Sequence, residues 1–133
     1  MAESRGNVKD IALYKLDRAK EDLESAEIEL QAEKYRASNK RAYYSAFHAI
    51  DAVLALEPIA FKKHKDVIAY FNKNYVHEGK FPADIGRRIH ELEEIRHESD
   101  YSDFFIASKE DSMEQVNTAR ELLALVETFI QTK

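Results

Sequence analysis

The sequence predicts an all-α protein folded as an up-and-down antiparallel bundle of four long helices with one short helix added. Three observations predict it. Only three Gly and two Pro interrupt the 133 residues, while the good helix formers Ala, Leu, Glu, Lys and Arg abound. Apolar residues recur at spacings of three and four in long stretches, the period of a helix with one buried face. The segments between those stretches are short, which makes successive helices antiparallel neighbours. With 44% hydrophobic residues the chain supports one cooperative core, and residues 1–133 read as a single domain with an ordered core from about 8 to 130.

The first helix is expected from about Val8 to Ala32, where Ala12, Leu16, Ala19, Leu23, Ala26 and Leu30 form the buried seam. Its alternating alanines allow a neighbouring helix to approach closely. A connection around Glu33 to Tyr35 leads to a second helix from Arg36 to about Leu56, which ends because Glu57 precedes Pro58. Pro58 to Lys63 reads as a loop. Val67, Ile68, Phe71 and Tyr75 then give a short third helix, closed by a break at Asn74, His77, Glu78 and Gly79. Pro82 suits the first position of the fourth helix, whose apolar face is Ile85, Ile89, Leu92 and Ile95 and whose last turns run from Arg96 to Tyr101. The rings of Phe104 and Phe105, in the linker after it, are expected to be buried against the end of the bundle. Ser108, three residues before Asp111, resembles a capping box, and Val116, Ala119, Leu123, Val126 and Ile130 carry the fifth helix.

Composition excludes several kinds of chemistry. Without Cys there is no disulfide, thiolate zinc site or cysteine nucleophile. The three glycines, Gly6, Gly79 and Gly86, are not spaced as a phosphate loop, and no nucleophile-elbow serine is present. No cofactor site is expected. The first residues hold no apolar signal core, and no run approaches the roughly 18 apolar residues of a membrane span, so the expectation is a soluble, cytoplasmic protein without a membrane partner. A net charge of −5 disfavours indiscriminate nucleic-acid binding. The charge is uneven, however: residues 91–114 hold nine acids against two bases, whereas Lys62, Lys63 and Lys65 form a basic patch at the start of the third helix. That patch suits either a phosphate backbone or solvent.

Two polar constellations stand out. On the second helix Arg41, Tyr44, His48 and Asp51 share a stripe separate from the apolar stripe of Tyr43, Phe47, Ile50 and Leu54. Arg41 and His48 lie two turns apart, about 10 Å along the axis. An arginine that grips a phosphate and a histidine that moves a proton are the groups needed for phosphodiester cleavage or nucleotide binding. The same residues also suit a buried network, Tyr44 included, that fixes helix register, and this structural reading is the stronger of the two. On the fourth helix His90, Glu94, His97 and Tyr101 share a face. Glu94 and His97 match a Glu-x-x-His element, but no second such pair exists, so no metal site is expected.

Asn39-Lys40-Arg41-Ala42-Tyr43-Tyr44-Ser45-Ala46-Phe47-His48-Ala49 resembles the Asn-Arg-Ala-Tyr-Tyr-x-x-Phe-His-Ala helix of the HEPN superfamily, in particular its UPF0332-type branch. His64-Lys65-Asp66-Val67 and the run from Arg96 to Asp100-Tyr101 are similar to further motifs of that branch, and the order holds over roughly residues 8–130. The resemblance implies a helical bundle that forms a homodimer around a shared polar cleft. It also implies a toxin–antitoxin or defence setting, with RNA or nucleotide as ligand and a small nucleotidyltransferase as protein partner. Many members are metal-independent endoribonucleases marked by an arginine followed, after four to six residues, by a histidine. Arg96 matches the arginine, but Tyr101, Ser102 and Asp103 stand where the histidine belongs. The expectation is therefore a cleft of Arg41, Tyr44, His48, Arg96 and Tyr101 that binds nucleotide, RNA or the partner without efficient catalysis. The alternatives are a ribonuclease that uses Arg96 with a displaced histidine, His48 or His97, and a purely structural helical module. Tyr101 is the tyrosine placed for modification by such a partner.

Overall fold

The computed structural model describes residues 2–133, with side chains from Val8 onward, and the described residues contain helices and no strand. Helix α1 spans Ala2–Gln31, α2 Tyr35–Leu54, α3 His64–Phe71, α4 Ala83–Tyr101 and α5 Lys109–Gln131. This is the expected bundle. A π-helical turn, Asn72–Val76, extends α3 and brings both Tyr75 and Val76 into the core. The wider turn shifts the register by one residue, so two consecutive side chains face inward.

Helix α2 is the centre of the molecule, since it contacts α1, α3, α4 and α5. Of its twenty residues twelve are buried, among them the whole stripe of Tyr43, Phe47, Ile50 and Leu54. Small residues make its approach to α1 close. Ala12, Ala19 and Ala26 are fully buried at seven-residue intervals, and the Ser38 and Ser45 hydroxyls donate to the carbonyls of Ala26 and Ala19, each at 2.8 Å. A serine can bond the backbone of a facing helix only where neither helix presents a large side chain.

The turn from α1 to α2 closes by hydrogen bonds from Lys34 N–H to the Glu29 carbonyl (2.8 Å) and from Glu33 N–H to that of Leu30 (3.1 Å). This is a Schellman stop, with Glu33 taking the left-handed position at φ 62° that glycine usually occupies. Gly79, at φ 79°, closes the π turn by the same device: Lys80 N–H reaches the Tyr75 carbonyl at 2.9 Å. Glu57, just past α2, accepts hydrogen bonds from the Tyr70 and Tyr75 hydroxyls and so ties the loop to the α3 segment.

Three local readings need adjustment. Helix α2 stops at Leu54, with turns running on to Pro58. Pro82 does not open α4 as its first residue; it is the extended N-cap, with ψ at 142°. Phe104 is not buried but 95% exposed, whereas Phe105 is half-buried beside Tyr35 and Ala37. The cause is Arg36, whose guanidinium donates to the carbonyls of Ser99, Ser102 (3.2 Å) and Phe105 (2.7 Å). It caps the C-terminal end of α4, where cations are favoured, and fixes the linker with Phe104 facing out. Ser108 caps α5 as expected, accepting from Asp111 N–H at 3.0 Å.

Candidate functional site

The site forms where α2, the start of α3 and the last turns of α4 meet. Asn39 holds the three long helices in place there: its amide donates to Ser99 of α4 at 3.1 Å and accepts from Ser112 of α5 at 2.8 Å, with the asparagine 1% exposed. A buried amide bonded on both sides sets a unique register, because any shift would leave it unpaired.

On this frame Arg96 enters a cage of aromatic rings. Its Cζ lies 5.2 Å from the Tyr43 ring centre, 5.5 Å from that of Tyr44 and 5.8 Å from that of Tyr101. Nη2 donates to the Tyr44 hydroxyl at 2.9 Å, and Nε faces the Asp100 carboxylate at 3.4 Å without a well-aligned hydrogen bond. Burial works against the Arg96 charge, but the bond to Tyr44 and the nearby Tyr44, Asp100 and Tyr43 groups outweigh it, so the guanidinium holds its proton more tightly than an ordinary arginine. The open side is a cleft of about 400 Å³ lined by Tyr43, Glu93, Arg96 and His97 among others. Burial raises the pKa of Glu93 above the usual carboxylate range, with His90 and Arg96 opposing and Glu94 adding to the shift.

His64, the first residue of α3, completes the arrangement. Its ring stacks on Phe47 at 3.7 Å between centres, and its Nδ1 is 3.2 Å from the Tyr43 hydroxyl. Burial, with Glu93 next, pushes the Tyr43 phenol up to about 12, so the hydroxyl keeps its proton, and the tautomer of His64 sets which group donates. Burial, then Arg96 and His48, lower the His64 pKa, against a smaller opposing effect of Asp51. Its imidazole is neutral at pH 7 and can accept a proton.

The polar stripe of α2 divides between two neighbours. Tyr44 turns to Arg96 of α4. His48 instead bonds Asp22 of α1 at 2.7 Å, Arg41 approaches the same carboxylate at 3.6 Å, and Asp51 pairs with Lys15 at 2.5 Å. Arg41 and His48 therefore meet through Asp22, while Tyr44, Arg96 and Tyr101 gather in the cage. On α4, His97 packs against the ring of Tyr101 at 4.9 Å and lines the cleft, and His90 is exposed beside Glu94 at 3.4 Å. Tyr101 itself is 66% exposed. Lys62, Lys63 and Lys65 are exposed on either side of His64. Sequence periodicity did not identify His64 or Asp22 as members of these networks. Their partners lie on other helices, and only the His64-Lys65-Asp66-Val67 resemblance pointed to one of them.

The HEPN domain profile matches residues 12–129, which include every residue of the cage. The chain belongs to the HEPN domain family. Within it this HEPN chain falls in the UPF0332-type branch: it is 29% identical over 114 residues to a Thermotoga maritima UPF0332 protein, covering 86% of both chains. It is also 36% identical over 84 residues, 63% of each chain, to a Methanocaldococcus jannaschii protein named "Putative toxin". The crystal structure of an archaeal HEPN homologue superposes with a TM-score of 0.71 over 90% of this chain and 97% of that one, at 21% identity, a likeness of fold alone. No helix among the described residues of this HEPN chain is long and apolar enough to cross a membrane. No group of three or more His, Asp or Glu among them could hold a metal ion.

Proposed function

We propose that this HEPN chain is the toxin-like component of a two-component module, binding the phosphate of a nucleotide or RNA at Arg96 without efficient cleavage of its own. The observation that carries the reading is the caged guanidinium: a permanent cation, held rigid by Tyr43, Tyr44 and Tyr101, at the wall of an open cleft. A pre-ordered arginine loses little entropy when it grips an anion, and planar guanidinium suits a phosphate. Glu93, Glu94 and Glu98 on the same cleft repel a long polyanion from the α4 side. The ligand accordingly approaches over α3, past His64 and the three lysines, and a nucleotide or strand end fits better than a continuous duplex. The name of the Methanocaldococcus jannaschii relative supports the toxin-like setting. A homodimer sharing this cleft and a nucleotidyltransferase partner that modifies exposed Tyr101 belong to the same reading.

Isothermal titration with ATP and with a short single-stranded RNA tests it. Loss of a charge-assisted hydrogen bond costs about 1.5–3 kcal/mol, so Arg96→Ala is expected to weaken binding about 10- to 100-fold with an unchanged circular dichroism spectrum. Equal affinity of the variant and the wild type would sink the idea.

One observation favours a ribonuclease as the second reading. The neutral His64 shares Tyr43 with Arg96, which gives a proton acceptor beside a phosphate-binding cation. His48 and His97 were the displaced histidines expected from sequence; His48 is engaged by Asp22, His97 lines the Arg96 cleft, and His64 meets the Tyr43 hydroxyl behind it. Incubation with end-labelled RNA in chelator separates the readings. Cleavage lost in His64→Ala or His97→Ala would establish the enzyme, and no cleavage by the wild type keeps the binding function.

A further inference from the structure

Next to the Arg96 cleft, with Glu94 and Glu98 as the shared wall, lies another groove, of about 290 Å³, between α4 and α5. We propose that it receives an arginine-bearing segment of a protein partner.

The charges of this groove break the rule followed elsewhere in the bundle. The ion pairs between helices elsewhere join opposite charges, Lys15 with Asp51, Lys20 with Glu127 and Arg120 with Glu27, and further along the same α4–α5 seam Arg88 pairs with Glu121. Here Glu91, Glu94 and Glu98 of α4 face Asp111 and Glu114 of α5 with no cation lining the space. Glu91 is held by Arg87 at 2.5 Å, and Glu94 has the exposed His90 at 3.4 Å. Glu98, Asp111 and Glu114 have no ion-pair partner among the described residues. The facing carboxylates repel one another, a repulsion that water screens in part and that an added cation turns into attraction.

A second, independent observation lies in the groove lining. Gln115 is 3% exposed, and its Oε1 has no hydrogen-bond partner. A buried acceptor left unpaired costs free energy until a donor reaches it. Both features call for the same chemistry, a positive group rich in N–H donors. Among the described residues no group of three carboxylates is placed to hold a metal ion, which leaves an organic cation. Guanidinium fits best, since its planar fork can address two carboxylates and the amide oxygen together, whereas an ammonium group offers a point charge. The groove shares Glu94 and Glu98 with the Arg96 cleft, but Asp111, Glu114 and Gln115 line the groove and not the cleft.

Fluorescence anisotropy with a labelled nonapeptide of alternating Arg and Gly, at about 150 mM salt where long-range attraction is screened, tests the proposal on the full chain. The Arg peptide is expected to bind about tenfold more tightly than its Lys counterpart. The Asp111→Asn/Glu114→Gln double variant should lose about tenfold and Gln115→Met about threefold, with helicity unchanged by circular dichroism. Arg96→Ala should leave peptide binding intact, and the double variant should retain nucleotide binding, so failure of one site is distinguishable from failure of the other. Equal affinity for the Arg and Lys peptides, or full binding by the double variant, would overturn the inference. So would displacement of the peptide by spermidine at lower concentration than by unlabelled peptide, which would make the groove a polyamine site.

Discussion

Tyr43 stands between Arg96 and His64, and burial of the imidazole, with Arg96 and then His48 nearby, ties the histidine's protonation to folding. The pKa of His64 is lower in the folded chain than its ordinary value of 6.5. As pH falls through 6.5 the unfolded chain takes up a proton that the folded chain resists, so the contribution of His64 to stability is present above 6.5 and is lost towards the lower folded pKa. In urea titrations the advantage of the wild type over His64→Gln is expected to shrink between pH 7.5 and pH 5; a constant gap would show that His64 does not titrate in this way. At this scale the sequence was partly legible. Arg96, Tyr44 and Tyr101 were identified by their motif and do gather. Arg41 and His48 were placed beside them because helical spacing orders neighbours on one helix, but the spacing is silent about Asp22, which arrives from α1 and engages both.

The helix pair α1–α2 shows what regular spacing can reveal. Alanines at seven-residue intervals in α1 announced a close approach, and the serine rungs from α2 are its result. Ala19 lies at the Ser45 rung with no exposed surface, so Ala19→Leu must drive the helices apart or force strained rotamers. Overpacking of this kind costs about 1–3 kcal/mol, to be read as a lower urea midpoint at unchanged slope. The linker after α4 was illegible for the opposite reason. It has no period, and the orientation of Phe104 is decided by Arg36, sixty-eight residues earlier, bonding the carbonyls on either side of it. The π turn was similarly hidden: Val67, Ile68, Phe71 and Tyr75 show helical spacing, and the added burial of Val76 depends on its approach to Gly86 of α4, where a Cβ would sit 3.4 Å from the Val76 side chain.

For the molecule as a whole, pairing of opposite charges between helices surrounds a core in which α2 contacts all the other helices. The fold class was legible because four long periodic stretches with short connections leave few arrangements besides a bundle, whereas the Arg96 cleft and the acidic groove arise only when α2, α4 and α5 are assembled. The serine-and-alanine seam also bears on the order of events in folding. Helices α1 and α2 share the most extensive contact in the chain and are joined by a short turn, so their association closes little loop and precedes costlier long-range contacts. We expect Leu16→Ala, in that seam, to slow refolding with a φ-value of about 0.5–0.8, and Ile130→Ala, late in α5, to act mainly on unfolding with a value of about 0–0.3. Stopped-flow chevrons that reversed this order would refute it. A hairpin that forms first from the initial 54 residues would give the growing chain a partly ordered surface during synthesis, before α4 brings Arg96 to the cage.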